Sequence, residues 1–213
     1  MFANDRDLLV YEPNLFRDLG WAGQRLVKGV GSIGGTTLTM ASQDVALDAA
    51  SVVAGHVTVV GGTAYEVIAR LGPDTLTLSR LRDDPAGPVI PPSPAAGQEV
   101  NVTTFTPQIA ACHAEVLRVL GIEPDAPGHG GVTEASIVNP GALRRLECLG
   151  ALASAWSGAA GLQGEGSSAW ARAADYRARF AAERGRVRVL IDLDGDGIAD
   201  ATRRLGAVSL ERA

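Results

Sequence analysis

Asp192, Asp194, Asp196 and Asp200, with Gly195 and Gly197 among them, are the densest group of chemistry-capable side chains in the sequence. Oxygen ligands at alternate positions, closed by a glycine that lets the chain turn sharply, suit a hard divalent cation such as calcium. The same stretch, Val189-Leu-Ile-Asp-Leu-Asp-Gly195, also has the spelling of a strand ending in a carboxylate nucleophile for phosphoryl transfer. A third reading is structural. Asp-Gly is favoured in tight hairpin turns because glycine accepts positive φ, and an acidic turn needs no ion if water solvates it.

The spacing separates these readings. Counted as a calcium loop, Asp192, Asp194 and Asp196 fill positions 1, 3 and 5, Gly197 fills position 6 and Asp200 position 9. Position 12, where a bidentate acid belongs, is Arg203, and the chain has no second copy of the loop. Exposed like charges ~4 Å apart cost only about 1 kcal/mol in water, so a solvated turn tolerates them. A structural acidic turn is therefore the leading reading. Calcium held by Asp192, Asp194, Asp196 and Asp200 is the alternative, and with it a calcium-dependent adhesion or binding module. The nucleophile reading, that of haloacid-dehalogenase-type phosphatases, fails on position. Asp196 stands where that family usually has threonine, and only 21 residues follow Asp192, too few for its later motifs.

Other chemistry is sparse. His56, His113 and His129 fall on a predicted strand, a helix and a glycine-rich loop, with no metal-ligand spacing among them. Gly29-Val-Gly-Ser-Ile-Gly34 matches a dinucleotide-binding spelling, but the β-prone Thr36-Thr-Leu-Thr-Met40 follows it where a helix is required. Cys112 and Cys148 both sit on predicted helices and read as small apolar core residues of a reducing compartment. No catalytic or cofactor-binding residue is assigned, and the expectation is a protein that is not an enzyme.

The elements that would hold these residues follow from periodicity. Residues 1–28 suggest an arm with short helices around Pro13. Residues 29–104 alternate in short runs split by Gly61-Gly62 and Leu71-Gly-Pro-Asp74, the pattern of antiparallel hairpins in a small barrel or sandwich. Residues 105–185 turn helical. Thr106-Pro107 and Asn139-Pro140 mark two helix starts, Gly121 one end, and Ser168 opens a third helix with Ala169, Ala173, Tyr176 and Phe180 inward. Residues 186–213 read as a hairpin or arm. The predicted fold class is α+β: a bundle of about three long helices with a small antiparallel β insertion and a C-terminal hairpin.

The 213 residues are 46% hydrophobic and 20% charged, which is a globular composition. A net charge of −5 argues against a general nucleic-acid binder. Charges at Asn4-Asp-Arg-Asp7 stand where a signal peptide would be apolar, and no apolar run reaches membrane-spanning length. Six arginines between Arg172 and Arg188 oppose only Asp175 and Glu183, as on a solvated helix face.

Segments along nearly the whole chain together resemble the head–tail connector (adaptor) proteins of tailed bacteriophages and prophages. These are Asn4-Asp-Arg-Asp-Leu-Leu9 with Glu12-Pro-Asn-Leu-Phe16, Phe105-Thr-Pro-Gln-Ile109, Asn139-Pro140 before Leu146-Glu147, and Ala173-Ala-Asp-Tyr-Arg177 before the Asp-rich turn. The β-rich segment departs from the all-helical members. The resemblance implies a helical protomer that assembles as a ring of about twelve copies below the portal protein. The ring would extend the channel through which DNA passes without sequence-specific binding, and would offer a platform to a stopper or tail completion protein. It would reside in the virion neck after assembly in the bacterial host cytoplasm. On this view residues 186–213 reach the portal or a neighbouring subunit, while the β module decorates the outside or meets the next ring.

Overall fold

The computed structural model describes residues 1–122 and 132–206. The chain divides into two compact units, Asn4–Pro107 and Met1–Ala3 with Gln108–Ala213.

The first unit is a closed barrel. Its strands are β1 (Gln24–Gly34), β2 (Thr37–Gln43), β3 (Val57–Val60), β4 (Thr63–Arg70), β5 (Thr75–Ser79) and β6 (Ala95–Thr104), in the order β1-β2-β5-β4-β3-β6. Every pair is antiparallel, and β6 pairs with both β1 and β3, so that Val100-Asn-Val102 closes the sheet. Alternation puts Val27, Ile33, Leu38, Met40, Tyr65, Val67, Leu76, Leu78, Val100 and Val102 into one core. Closure leaves no free strand edge. The glycine-rich run lies inside β1. A side chain at Gly29 would meet the Ser42 carbonyl, and the register shifts at Val30/Gly31, so here glycine permits a close strand crossing.

From Asn4 onward the residues before β1 belong to this unit and form two short helices, α1 (Asp5–Tyr11) and α2 (Leu15–Asp18). Asn4 and Asp7 form a reciprocal capping box at the start of α1. The Arg6 and Arg82 guanidiniums both donate to the Glu66 carboxylate, which is almost wholly buried. Phe16 packs edge-on against Phe105. Burial lifts the Asp5 carboxyl to about 6, opposed in part by the Thr104 hydroxyl and the Phe105 amide.

The second unit contains α3 (Thr106–Val119), a 3₁₀ turn (Glu134–Ser136), α4 (Gly141–Gln163), α5 (Ser168–Arg186) and the hairpin β7 (Arg188–Ile191)–β8 (Ala201–Arg204). Buried alanines along α4 and Ala169 and Ala173 of α5 let these helices approach closely. Gly150 of α4 lies against α3, where a Cβ would collide with the Cys112 sulfur. Ser167 caps α5 through the Trp170 amide. The core joins Val116, Leu117, Leu143 and Leu146 to Val187, Val189, Ile191 and Leu205.

The expected fold class is thereby corrected. The chain is α+β, but it is not a bundle of three long helices carrying a small insertion. A closed six-stranded barrel with its own core makes up one unit, and the described residues include five α-helices, two of them short. The barrel was underestimated because its longest strands, 11 and 10 residues, are broken in sequence by glycines and a bulge or preceded by a Pro-Ala-Gly stretch. The C-terminal hairpin is also a core component of the helical unit, since its inward residues are buried with those of α3 and α4.

Candidate functional site

The acidic stretch is the loop of the β7–β8 hairpin. Asp192 accepts the amides of Gly195 at 2.7 Å and Gly197 at 2.8 Å, which hold its carboxyl below the usual range. Asp200 accepts the Leu193 amide at 2.8 Å, Asp194 that of Asp196 and Asp196 that of Ile198. Gly195 and Gly197 have φ of +85° and +83°, the left-handed values such a turn requires. The loop is thus ordered by its own amides.

Carboxylate oxygens of Asp192, Asp194 and Asp200 lie within 4.8 Å of one another and could hold a cation. Asp196, the fourth expected ligand, is not in that group. Position 12 does different work: the Arg203 guanidinium turns away and donates to the Leu120 carbonyl just past α3. Three carboxylates fit part of a calcium shell, which takes six to eight oxygens. The loop also holds Leu193 and Ile198 in water, at 52% and 67% exposure.

The barrel carries a second feature, which sequence reasoning missed. A cavity of about 760 Å³ opens beside α2 and strands β1, β3 and β6. It is lined by Phe16, Trp21 and Val59, by the cations Arg17, Arg25 and Lys28, and by one carboxylate, Glu99. Trp21 is 55% exposed, its indole N–H donating to the Asp18 carbonyl. Each cation has an exposed partner: Arg17 with Asp18 at 2.9 Å, Arg25 with Asp44 at 3.5 Å, and Lys28 with Glu99 at 3.0 Å. Lys28 also holds the Glu99 carboxyl below its ordinary range. The only signals in the sequence were the sole lysine and a tryptophan next to Gly20.

The described histidines and cysteines lie apart from the acidic loop and the groove lining. His113 is buried on α3, with Nδ1 2.5 Å from Glu147 and Nε2 3.2 Å from Glu134. His56 lies just before β3, where its Nδ1 accepts the Val53 amide, and His129 lies outside the described residues. Cys112 and Cys148 are free thiols. Burial, then Glu147 and Glu115, push the Cys112 thiol up to about 12, which suppresses thiolate chemistry at neutral pH. Among the described residues no helix is long and apolar enough to cross a membrane. Comparison with family models, with curated proteins and with solved structures finds no match.

Proposed function

We propose that the chain is a head–tail connector of a tailed bacteriophage or prophage, forming a ring below the portal protein and receiving a stopper or tail completion protein. On this reading it performs no chemistry. It acts by fitting its neighbours around a channel through which DNA passes, in the neck of the virion. The observation that supports this best is the β7–β8 loop. The chain commits amide hydrogen bonds and two left-handed glycines to a rigid knob rooted in a core, and that knob displays Leu193 and Ile198 to solvent. Two exposed apolar side chains held at the tip of a hydrogen-bonded loop are placed where a partner surface can cover them. The segment resemblance supplies the kind of assembly. Because Val187, Val189, Ile191 and Leu205 are core residues, deleting residues 186–213 would damage the unit itself. Electron microscopy of the intact protein, alone and with a portal, is the direct test. A ring of protomers with an axial hole is expected, and a monomer in both conditions overturns the proposal.

The clustered oxygens of Asp192, Asp194 and Asp200 favour one second reading, a calcium-dependent binding module. Calcium titrated by calorimetry into the intact protein should then release heat and raise the melting temperature, and Asp192→Ala should abolish both. No heat and no shift at millimolar calcium would remove this reading.

A further inference from the structure

Two exposed surfaces of this chain complement one another. The barrel groove presents Arg17, Arg25 and Lys28 against one lining carboxylate, Glu99, on a chain whose net charge is −5. Its apolar lining includes the half-exposed Trp21 indole together with Val59. The β7–β8 loop presents the converse. It has four aspartates, no cation between Arg188 and Arg203, and two exposed aliphatic side chains. A volume of about 760 Å³ falls in the range that engulfs a compact ligand (about 300–1,000 Å³), and so has room for a loop tip.

We infer that the β7–β8 loop of one copy seats in the Trp21 groove of the next copy. Leu193 and Ile198 lie against Trp21 and Val59, and Asp194 and Asp196 face Arg25 and Lys28. The inference rests on the ring reading above and names the contact that builds the ring. Groove and loop are different surfaces, so the contact is head-to-tail, the type that closes into rings when its rotation permits. The barrel's closure leaves no strand edge for backbone pairing, so side chains must carry the recognition. The present partners of the three cations, Asp18, Asp44 and Glu99, form exposed pairs that are weakly held in water and exchange readily. A single-stranded nucleic acid would also find cations and an aromatic face here. The loop is favoured because it matches the apolar lining as well as the cations.

The test uses the full chain in three forms: wild type, a groove variant (Arg25→Glu with Lys28→Glu) and a loop variant (Leu193→Asp with Ile198→Asp). Asp192 and Asp200, which hold the loop, are kept. By sedimentation velocity the wild type should form rings and each variant alone should remain a folded monomer, with the wild-type circular dichroism spectrum. An equimolar mixture of the variants should give a one-to-one dimer and nothing larger, because that pair retains one intact loop and one intact groove. Adding Asp194→Lys and Asp196→Lys to the groove variant should restore rings by exchanging the charges. Rings from either variant alone, or a mixture that stays monomeric beside a ring-forming wild type, overturn this contact and leave the ring reading standing. If the wild type forms rings only with a portal, the same comparisons are made with the portal present; a wild type that is monomeric in both conditions overturns the ring reading itself. Binding of labelled oligothymidylate that the groove substitutions abolish, with ring formation unaffected, assigns the groove to nucleic acid and overturns the contact.

Discussion

Glu147→Ala is expected to destabilise the helical unit by about 3–5 kcal/mol, the cost of removing one partner from a buried ion-pair-like network. Glu147 has no solvent exposure. One carboxylate oxygen lies 2.5 Å from His113 Nδ1, and the other accepts the amides of Phe2 and Ala3, each at 2.9 Å. Phe2 packs edge-on against the His113 ring, so one side chain of α4 fixes both α3 and the residues before Asn4. Alanine leaves two amide donors and an imidazole nitrogen without their acceptor. Glu147→Gln should cost much less, about 1 kcal/mol. Its carbonyl can accept both amides while its NH₂ donates to Nδ1, the imidazole then donating from Nε2 to Glu134. Urea unfolding of the two variants, with hydrogen exchange at the Ala3 amide, checks this. A difference of less than about 1 kcal/mol between them would show that the network is not what holds this segment.

The same network shows what the sequence displayed and what it hid. Strands β3, β4 and β5 were visible because alternation and Gly or Pro turns are local properties, and the helix starts near Thr106 and Ser168 were visible because start signals are local too. Thr106 is the first residue of α3 and not its cap, and the cap of α5 is Ser167. Asn139 was read as a cap from its place before Pro140. Its side chain in fact donates to the Arg188 carbonyl and accepts the Leu190 amide, fastening β7. The acidic stretch was legible as a turn after a strand, since left-handed glycines depend on neighbours in the chain, but the returning strand lies at Ala201–Arg204 and not beyond Leu205. Burial of charge was not legible. Asp5, Arg6 and Asp7 look like a solvated start, yet all three are buried, because their partners lie elsewhere in the fold. Arg6 meets Glu66, and Asp5 takes the Phe105 amide. The groove was hidden for the same reason: Trp21, Lys28, Val59 and Glu99 become neighbours only when β6 closes the barrel against β1 and β3.

Glu66→Ala is expected to cost the barrel about 3–5 kcal/mol, because it strands two arginines rather than one. Arg6 Nε donates to one Glu66 oxygen at 2.6 Å and Arg82 Nε to the other, with all three side chains largely buried. Arg6 also bonds the Arg82 carbonyl and pairs with Asp7 at 3.2 Å, while Arg82 donates to the Gly87 carbonyl at 2.7 Å. The carboxylate therefore ties α1, strand β4 and the segment after β5 together. Removing it leaves cationic groups in a site that water reaches poorly, and that desolvation is the source of the loss. Replacing Arg6→Met with Glu66→Leu and Arg82→Met removes the two stranded cations along with their bonds, while Asp7 keeps the Asn4 amide of the capping box. The triple variant should thus fall within about 2 kcal/mol of wild type, since a buried ion cluster and a well-packed apolar one are often close in stability. Urea denaturation followed by hydrogen exchange at the barrel amides of Val67 and Leu78 reports on this unit. If the triple variant is as unstable as Glu66→Ala, the loss comes from α1 and the barrel losing a specific anchor, and not from unpaired charge.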